Sequence, residues 1–377
     1  MKVLATVTVL PAVWLLTATV SSPQAPTLSG RFEAEARVWS GEAKVQLDLR
    51  VRSDDYRSSH GFTLDADEIP DLNLHDRGRT GEVRFTLERE AGRIVFEGEQ
   101  DGDEAWGEFV WTGSDAFRSR MAQLGYEDLS TRQQFQMTLQ DVTTAFVTAV
   151  QQRGYGDATA RDLIRMRIHG ATPEFIESIA EAGYGDLSLD DLIRFRIHGV
   201  TAELARDMQD LGFALTAREL QRARIHGVSS DFARAMSAAG LGELDFDDLV
   251  RFRIHGVSPE FIRDMQDLGF TLSAQELQRA RIHGVSSDFA RAMAQAGFED
   301  LDFDDLVDFR IHGVSPEFIA EMADRGYEHL SPRMLLRFRI HGVDGEFVDE
   351  LAQHGFTDLS AEDLVEAKIH SGWWRRR

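Results

Sequence analysis

The 377-residue chain contains no cysteine. That absence excludes disulfides, thiolate catalysis, Cys-ligated zinc and an N-terminal lipoprotein anchor. Positive charge is scarce as well: 41 Lys and Arg face 64 Asp and Glu, for a net charge of −23. A chain of that sign repels nucleic acid and anionic membrane, so neither is an expected partner. No Gly-x-Ser-x-Gly elbow, His-Glu-x-x-His, phosphate loop or strand-linked Gly-x-Gly-x-x-Gly occurs. The chain therefore reads as non-enzymatic and without a cofactor. At 42% hydrophobic and 28% charged, its composition is otherwise that of soluble globular protein.

One long apolar run is present. Lys2 precedes Val3 to Val20, almost wholly apolar apart from threonines. Residues 1–25 thus read as a signal peptide or retained N-terminal anchor, with a cut expected near Ser21, Ser22 or Ala25. A run of about 18 residues is also at the lower limit for a membrane span. Either way the remainder is expected outside the cytoplasm, in the periplasm, at the envelope or secreted. A membrane is an expected partner only if the segment is retained.

Residues 28–112 carry a period of two. Phe32, Ala34, Ala36 and Val38 alternate with Arg31, Glu33, Glu35 and Arg37, and Val45, Leu47, Leu49 and Val51 alternate with polar residues. Alternation predicts strands with one buried and one wet face, here an antiparallel β module. Val83–Glu90, Arg93–Gln100 and a last strand with Trp106, Phe109 and Trp111 continue it, and Ser40-Gly41, Ala91-Gly92 and Asp101-Gly102 supply turns. Ser53 to Arg79, with His60, Pro70 and His75, reads as a solvated loop rather than a metal or ligand site. The three aromatic residues of the last strand read as core rather than as a sugar-stacking platform.

From residue 113 to 370 the chain repeats. The stretch Arg253-Ile254-His255-Gly256-Val257-Ser258-Pro259-Glu260-Phe261 recurs in eight versions, its histidine falling every 28 or 29 residues from His169 to His370. Gly269 belongs to a second column, with nine members from Gly125 to Gly355. Such periodicity predicts an α-solenoid of about nine two-helix repeats, mainly α overall. Ser258 caps a helix with Pro259 in its first turn and Gly269 at its end. Ser273 with Glu276 forms a capping box for the next helix, which Gly284 closes, and Thr216/Glu219, Ser188/Asp191, Asp245/Asp248 and Ser360/Asp363 preserve the pairing. Leu249, Phe252, Phe261, Ile262 and Met265 are the expected stacking core. Met208 to Phe213 returns as Met265 to Phe270 after 57 residues, so the copied unit was a pair of repeats. The first unit departs most, with Gln140-Asp141-Val142-Thr143 at the corner, and residues 371–377 form a tail.

His255 and its equivalents sit where an imidazole can serve free helix-end carbonyls, and neighbouring arginines oppose a metal there. Arg253 and Glu260, with six equivalent pairs seven residues apart, are expected to clamp the corner between two helices. The corner sequence resembles short two-helix repeats of uncharacterised bacterial exported proteins, which also follow membrane-embedded metallopeptidase domains of the antirepressor type. The resemblance spans about Ser114 to His370 and implies a setting, not a catalytic residue, since no zinc motif is present. The expected function is a scaffold that binds a protein partner through the repeat surface. A sensory or regulatory accessory of an envelope peptidase, or ligand or glycan binding by the β module, are the alternatives.

Overall fold

The computed structural model describes residues 25–39, 42–52, 57–74 and 78–370. The turn at Ser40-Gly41, His75, the tail and nearly all of the expected signal segment lie outside them. Six strands form one antiparallel sheet: β1 (Thr27–Trp39), β2 (Glu42–Arg52), β3 (Arg57–Asp65), β4 (Thr80–Arg89), β5 (Gly92–Asp101) and β6 (Glu104–Gly113). Eighteen short α-helices follow among the described residues. The protein is a small β module followed by helical repeats, mainly α. No helix among the described residues is long and apolar enough to cross a membrane.

The helices run in pairs, each pair one repeat. They are α1 (Asp115–Gln123) and α2 (Thr131–Leu139), α3 (Thr144–Gln152) and α4 (Ala160–His169), and α5 (Pro173–Ile179) and α6 (Leu189–His198). Then come α7 (Ala202–Asp210) and α8 (Ala217–His226), α9 (Ser230–Ser237) and α10 (Phe246–His255), and α11 (Pro259–Asp267) and α12 (Ala274–His283). The last are α13 (Ser287–Gln295) and α14 (Phe303–His312), α15 (Pro316–Ala323) and α16 (Pro332–His341), and α17 (Gly345–Gln353) and α18 (Ala361–Ile369). The chain falls into two compact units, one ending at Glu177 and the other beginning at Ser178.

In the N-terminal unit the strand order is β3-β2-β1-β6-β5-β4. Register places Leu47 opposite Ala34 and Phe62, and Phe96 opposite Phe85 and Phe109, so apolar residues share one face. Phe85 and Phe96 stack at 4.4 Å, and Phe32 meets them edge-on at 5.4 and 5.1 Å. Gly107, opposite Phe32, and its partner Gly98 let the two strand backbones approach closely. A Cβ on Gly98 would lie 2.0 Å from the Trp106 carbonyl oxygen, so no side chain fits there.

The reading of residues 53–79 as a solvated loop is overturned. Arg57–Asp65 is β3, paired with β2 from Lys44↔Asp65 to Arg52↔Arg57. Beyond it Ile69, Leu72 and Leu74 are buried in the sheet core, held by Gln100, whose Nε2 donates to the Asn73 carbonyl at 2.7 Å. The inward residues of β3 are Ser58, His60, Phe62 and Leu64, only half of them apolar, which hid the alternation.

The first repeat covers part of the sheet's apolar face. α2 packs on β5 and β6 and adds Phe135 and Leu139 to the sheet core. Phe135 lies 5.4 Å from Trp111 and 6.3 Å from Phe109. Below the rings, Trp111 Nε1 donates to Thr138 Oγ1 at 3.0 Å, and Gln134 Nε2 donates to the Ala91 and Ser114 carbonyls at 2.9 Å each. Arg118 donates to Gln134 Oε1 at 2.7 Å, so that buried amide is fully partnered. The polar connection therefore costs little although it is buried.

Glu90 ties α3 to the same sheet, accepting from Thr144 N at 2.9 Å and from Arg120 at 2.8 Å. Burial pulls its carboxyl upward, but the bonds from Thr144 and Arg120 outweigh this and leave it below the usual carboxylate range. The departure of the first repeat from the common pattern follows from these contacts. Asp141 takes the left-handed position that glycine fills elsewhere, at φ 49°, and its carboxylate receives Arg167 at 3.2 Å.

In the C-terminal unit, α6, α8, α10, α12, α14, α16 and α18 pack in that order as one row. Phe195, Phe252, Phe309 and Phe338 are fully buried along it, and Met208, Met236, Met265 and Met293 fill the gaps from the other helices. Tyrosines stitch consecutive repeats: Tyr184 donates to the Leu215 carbonyl at 2.6 Å and Tyr327 to Leu359 at 2.9 Å. Burial raises both phenols.

Candidate functional site: the repeat corner

The corner after α10 is built from local signals. Gly256 takes φ 71°, and the Val257 N–H returns to the Phe252 carbonyl at 2.9 Å while Val257 buries its side chain. This is a left-handed helix stop, and it repeats with 2.7–2.9 Å bonds from Ala171 to Val343. Ser258 Oγ then accepts from Phe261 N at 3.2 Å, with Pro259 in the first turn of α11. Gly269 ends α11 at φ 90°, the Phe270 N–H reaching the Met265 carbonyl at 3.0 Å. The capping boxes at Ser273/Glu276, Thr216/Glu219, Asp245/Asp248 and Ser360/Asp363 are formed. At Ser188 only half is: the hydroxyl donates to Asp191 at 2.7 Å and accepts from its N–H. Backbone and hydroxyl bonds from Ser273 hold the Glu276 carboxyl below its ordinary range.

The charged columns are arranged otherwise than the spacing implied. Glu260 pairs with Arg263 at 3.1 Å, one turn along its own helix. Arg253 reaches back to the preceding repeat, its guanidinium 3.9 Å from the centroid of the Phe232 ring. The same backward reach sets Arg281 over Phe261, Arg310 over Phe289, Arg339 over Phe318 and Lys368 over Phe347. Arg310 Nε also donates to the Gly284 carbonyl at 2.7 Å, and Arg339 Nε to the His312 carbonyl at 3.3 Å. The corner clamp expected between Arg253 and Glu260 is thus a brace between repeats. Sequence separation suggested a partner seven residues on; packing supplies one some twenty residues back.

The imidazoles of His226, His255, His283, His312 and His341 make no hydrogen bond to the protein among the described residues. The expected service to helix-end carbonyls falls to the backbone N–H after each glycine and to the next repeat's arginine. Among the described residues no cluster of three or more His, Asp or Glu is placed to hold a metal ion. His60 lies apart, on the inner face of β3, 2.8 Å from Ser58 Oγ and 5.6 Å from the Phe135 ring. Burial pushes its imidazole down, and Arg132 adds to the effect. On β6, Phe109 and Trp111 are buried, whereas Trp106 faces outward at 42% exposure, so the three share no platform.

Sequence reasoning missed the residue between arginine and histidine. Ile225, Ile254, Ile282, Ile311 and Ile340 are 51–58% exposed. A signal was available. At about 100° per residue, Arg253 falls in phase with buried Phe246 and Leu249, and Ile254 falls between exposed Asp247 and buried Val250. The last helical turn inverts the amphipathic pattern. The cation leans back over a ring of the preceding repeat while staying exposed, and the apolar side chain faces solvent beside it.

Replacing Arg310 with alanine removes both the ring contact and the carbonyl bond, at an expected cost of about 1–2 kcal/mol. Arg291→Ala, which removes only the surface pair with Asp288 at 2.9 Å, is expected to cost less than about 0.5 kcal/mol. Thermal melts of the two variants measure the difference, and equal midpoints would show that the brace contributes nothing.

The chain matches no known family model and no curated protein. Its class therefore rests on the architecture: a β module joined to two-helix repeats.

Proposed function

We propose that this protein is an exported, non-enzymatic scaffold that binds a protein partner at the cell envelope through its repeats. The observation that carries the reading is the row of exposed isoleucines, one per repeat. Single exposed apolar residues are common on monomers, but an aligned row of them marks an interaction surface. The regular stack supports it, because repeat arrays present extended surfaces of equivalent side chains. The apolar segment from Val3 to Val20 and the resemblance of the corner sequence support the envelope setting.

The test is a pull-down from an envelope extract with the full chain and with an Ile225→Ser/Ile254→Ser/Ile282→Ser variant. Wild-type protein is expected to retain a protein that the variant loses. Equal retention by both would remove the isoleucine row from the interface and end this reading.

A further inference from the structure

We infer that the isoleucine row is a docking track for an acidic segment in polyproline II conformation, with an apolar side chain at every third residue. The inference rests on the scaffold reading above and specifies its partner. The track lies within the C-terminal unit, on α8, α10, α12, α14 and α16, each packed against the next. Packed helices stand about 8–10 Å apart, so successive isoleucines rise at about that interval. A polyproline II chain advances about 3.1 Å per residue with three residues per turn, and presents the same face every ~9.3 Å. One side chain per turn of such a chain then meets one isoleucine per repeat. A β-strand presents the same face every ~6.8 Å and falls out of step.

Charge selects the residues between the apolar ones. Arg224, Arg253, Arg281, Arg310 and Arg339 each precede a track isoleucine, and among the described residues none lies within ion-pair distance of a carboxylate. These are exposed cations in a chain of net charge −23. From Arg253 on, the guanidinium carbon lies over a phenylalanine ring of the preceding repeat, 3.9–5.1 Å from its centroid. The ring contact restrains the side chain and leaves N–H groups to donate to a carboxylate, so less side-chain entropy remains to be lost. Asp247 and Asp304, on the same helix faces, are already engaged by Arg222 and Arg279, so the strip offers its unpaired guanidiniums between apolar side chains to an apolar and acidic segment. It opposes the chain's own Arg375-Arg376-Arg377 end.

The experiment is fluorescence anisotropy of the full-length protein with a labelled peptide of six Leu-Glu-Pro triplets. The controls are a peptide of the same composition in aperiodic order, six Leu-Lys-Pro triplets, a helical peptide with leucine at every seventh residue, and phosphatidylglycerol vesicles. Saturable binding of the Leu-Glu-Pro peptide is expected, at least about tenfold tighter than that of any control peptide. Ile254→Ser/Ile282→Ser and Arg253→Glu/Arg281→Glu should each weaken it by about tenfold or more. The isoleucine variant should keep the wild-type melting temperature, which separates lost contact from lost fold. Equal binding of the aperiodic peptide, tighter binding of the helical one, or insensitivity to both double substitutions would overturn the inference. So would vesicle binding that needs the same residues while the peptide fails to bind. If the isoleucines retain an envelope protein but no Leu-Glu-Pro peptide, the track falls and the scaffold reading stands; if they retain neither, both fall.

Discussion

Replacing Phe135 with alanine is expected to destabilise the N-terminal unit by about 3–5 kcal/mol, the range for removing a fully buried aromatic ring. The side chain is 0% exposed and belongs to the sheet's core although it is carried by a repeat helix. Its removal opens a space between Trp111, Phe109 and His60, which rigid strands cannot collapse to fill. Polar groups fail with it. Gln134 and Thr138 sit on the same turns of α2, and their bonds to Ala91, Ser114 and Trp111 depend on the helix staying seated. Sheet and first repeat should therefore melt together. Circular dichroism followed at strand and helix wavelengths, with the near-ultraviolet aromatic signal, measures this. A variant that keeps the wild-type midpoint, or loses the sheet alone while α1 to α4 persist, would contradict the coupling.

The second large effect is expected at Phe252, two residues from the track isoleucine. Phe252 is 0% exposed on α10, between α8 and α12, and its truncation to alanine should cost about 3–5 kcal/mol. In a stack where each repeat is supported by its neighbours, the loss should break cooperativity at that point. Hydrogen exchange is expected to show α9 to α11 opening before the repeats on either side. Ile254→Ala provides the contrast. At 54% exposure it should change stability by less than about 0.5 kcal/mol. Comparable losses from the two substitutions would mean that Ile254 is core, and the docking track would lose its basis.

The helix ends were legible because their chemistry is local. Gly256, Ser258, Pro259 and the Ser273–Glu276 box each act on backbone groups within about five residues, so spacing alone identifies them. Strand alternation was equally legible where one face is uniformly apolar, as from Val45 to Val51. It failed at β3, where Ser58 and His60 point inward because the neighbouring cover is α2, remote in sequence. It failed too for Ile69, Leu72 and Leu74, three apolar residues without a period, whose burial comes from packing into the sheet core.

The corner from Arg253 to Phe261 changes meaning for the same reason. Local residues alone mark it as a helix stop followed by a helix start, with a pair of helices recurring every 28 or 29 residues. Where Arg253 and Ile254 face follows from packing against the neighbouring repeats. A ring of the preceding repeat holds the guanidinium against that repeat while leaving it exposed, and the isoleucine lies on the surface beside it. Caps are satisfied within one chain segment, whereas ring stacking and exposure are set by what an adjacent repeat brings alongside, and no local spacing encodes that.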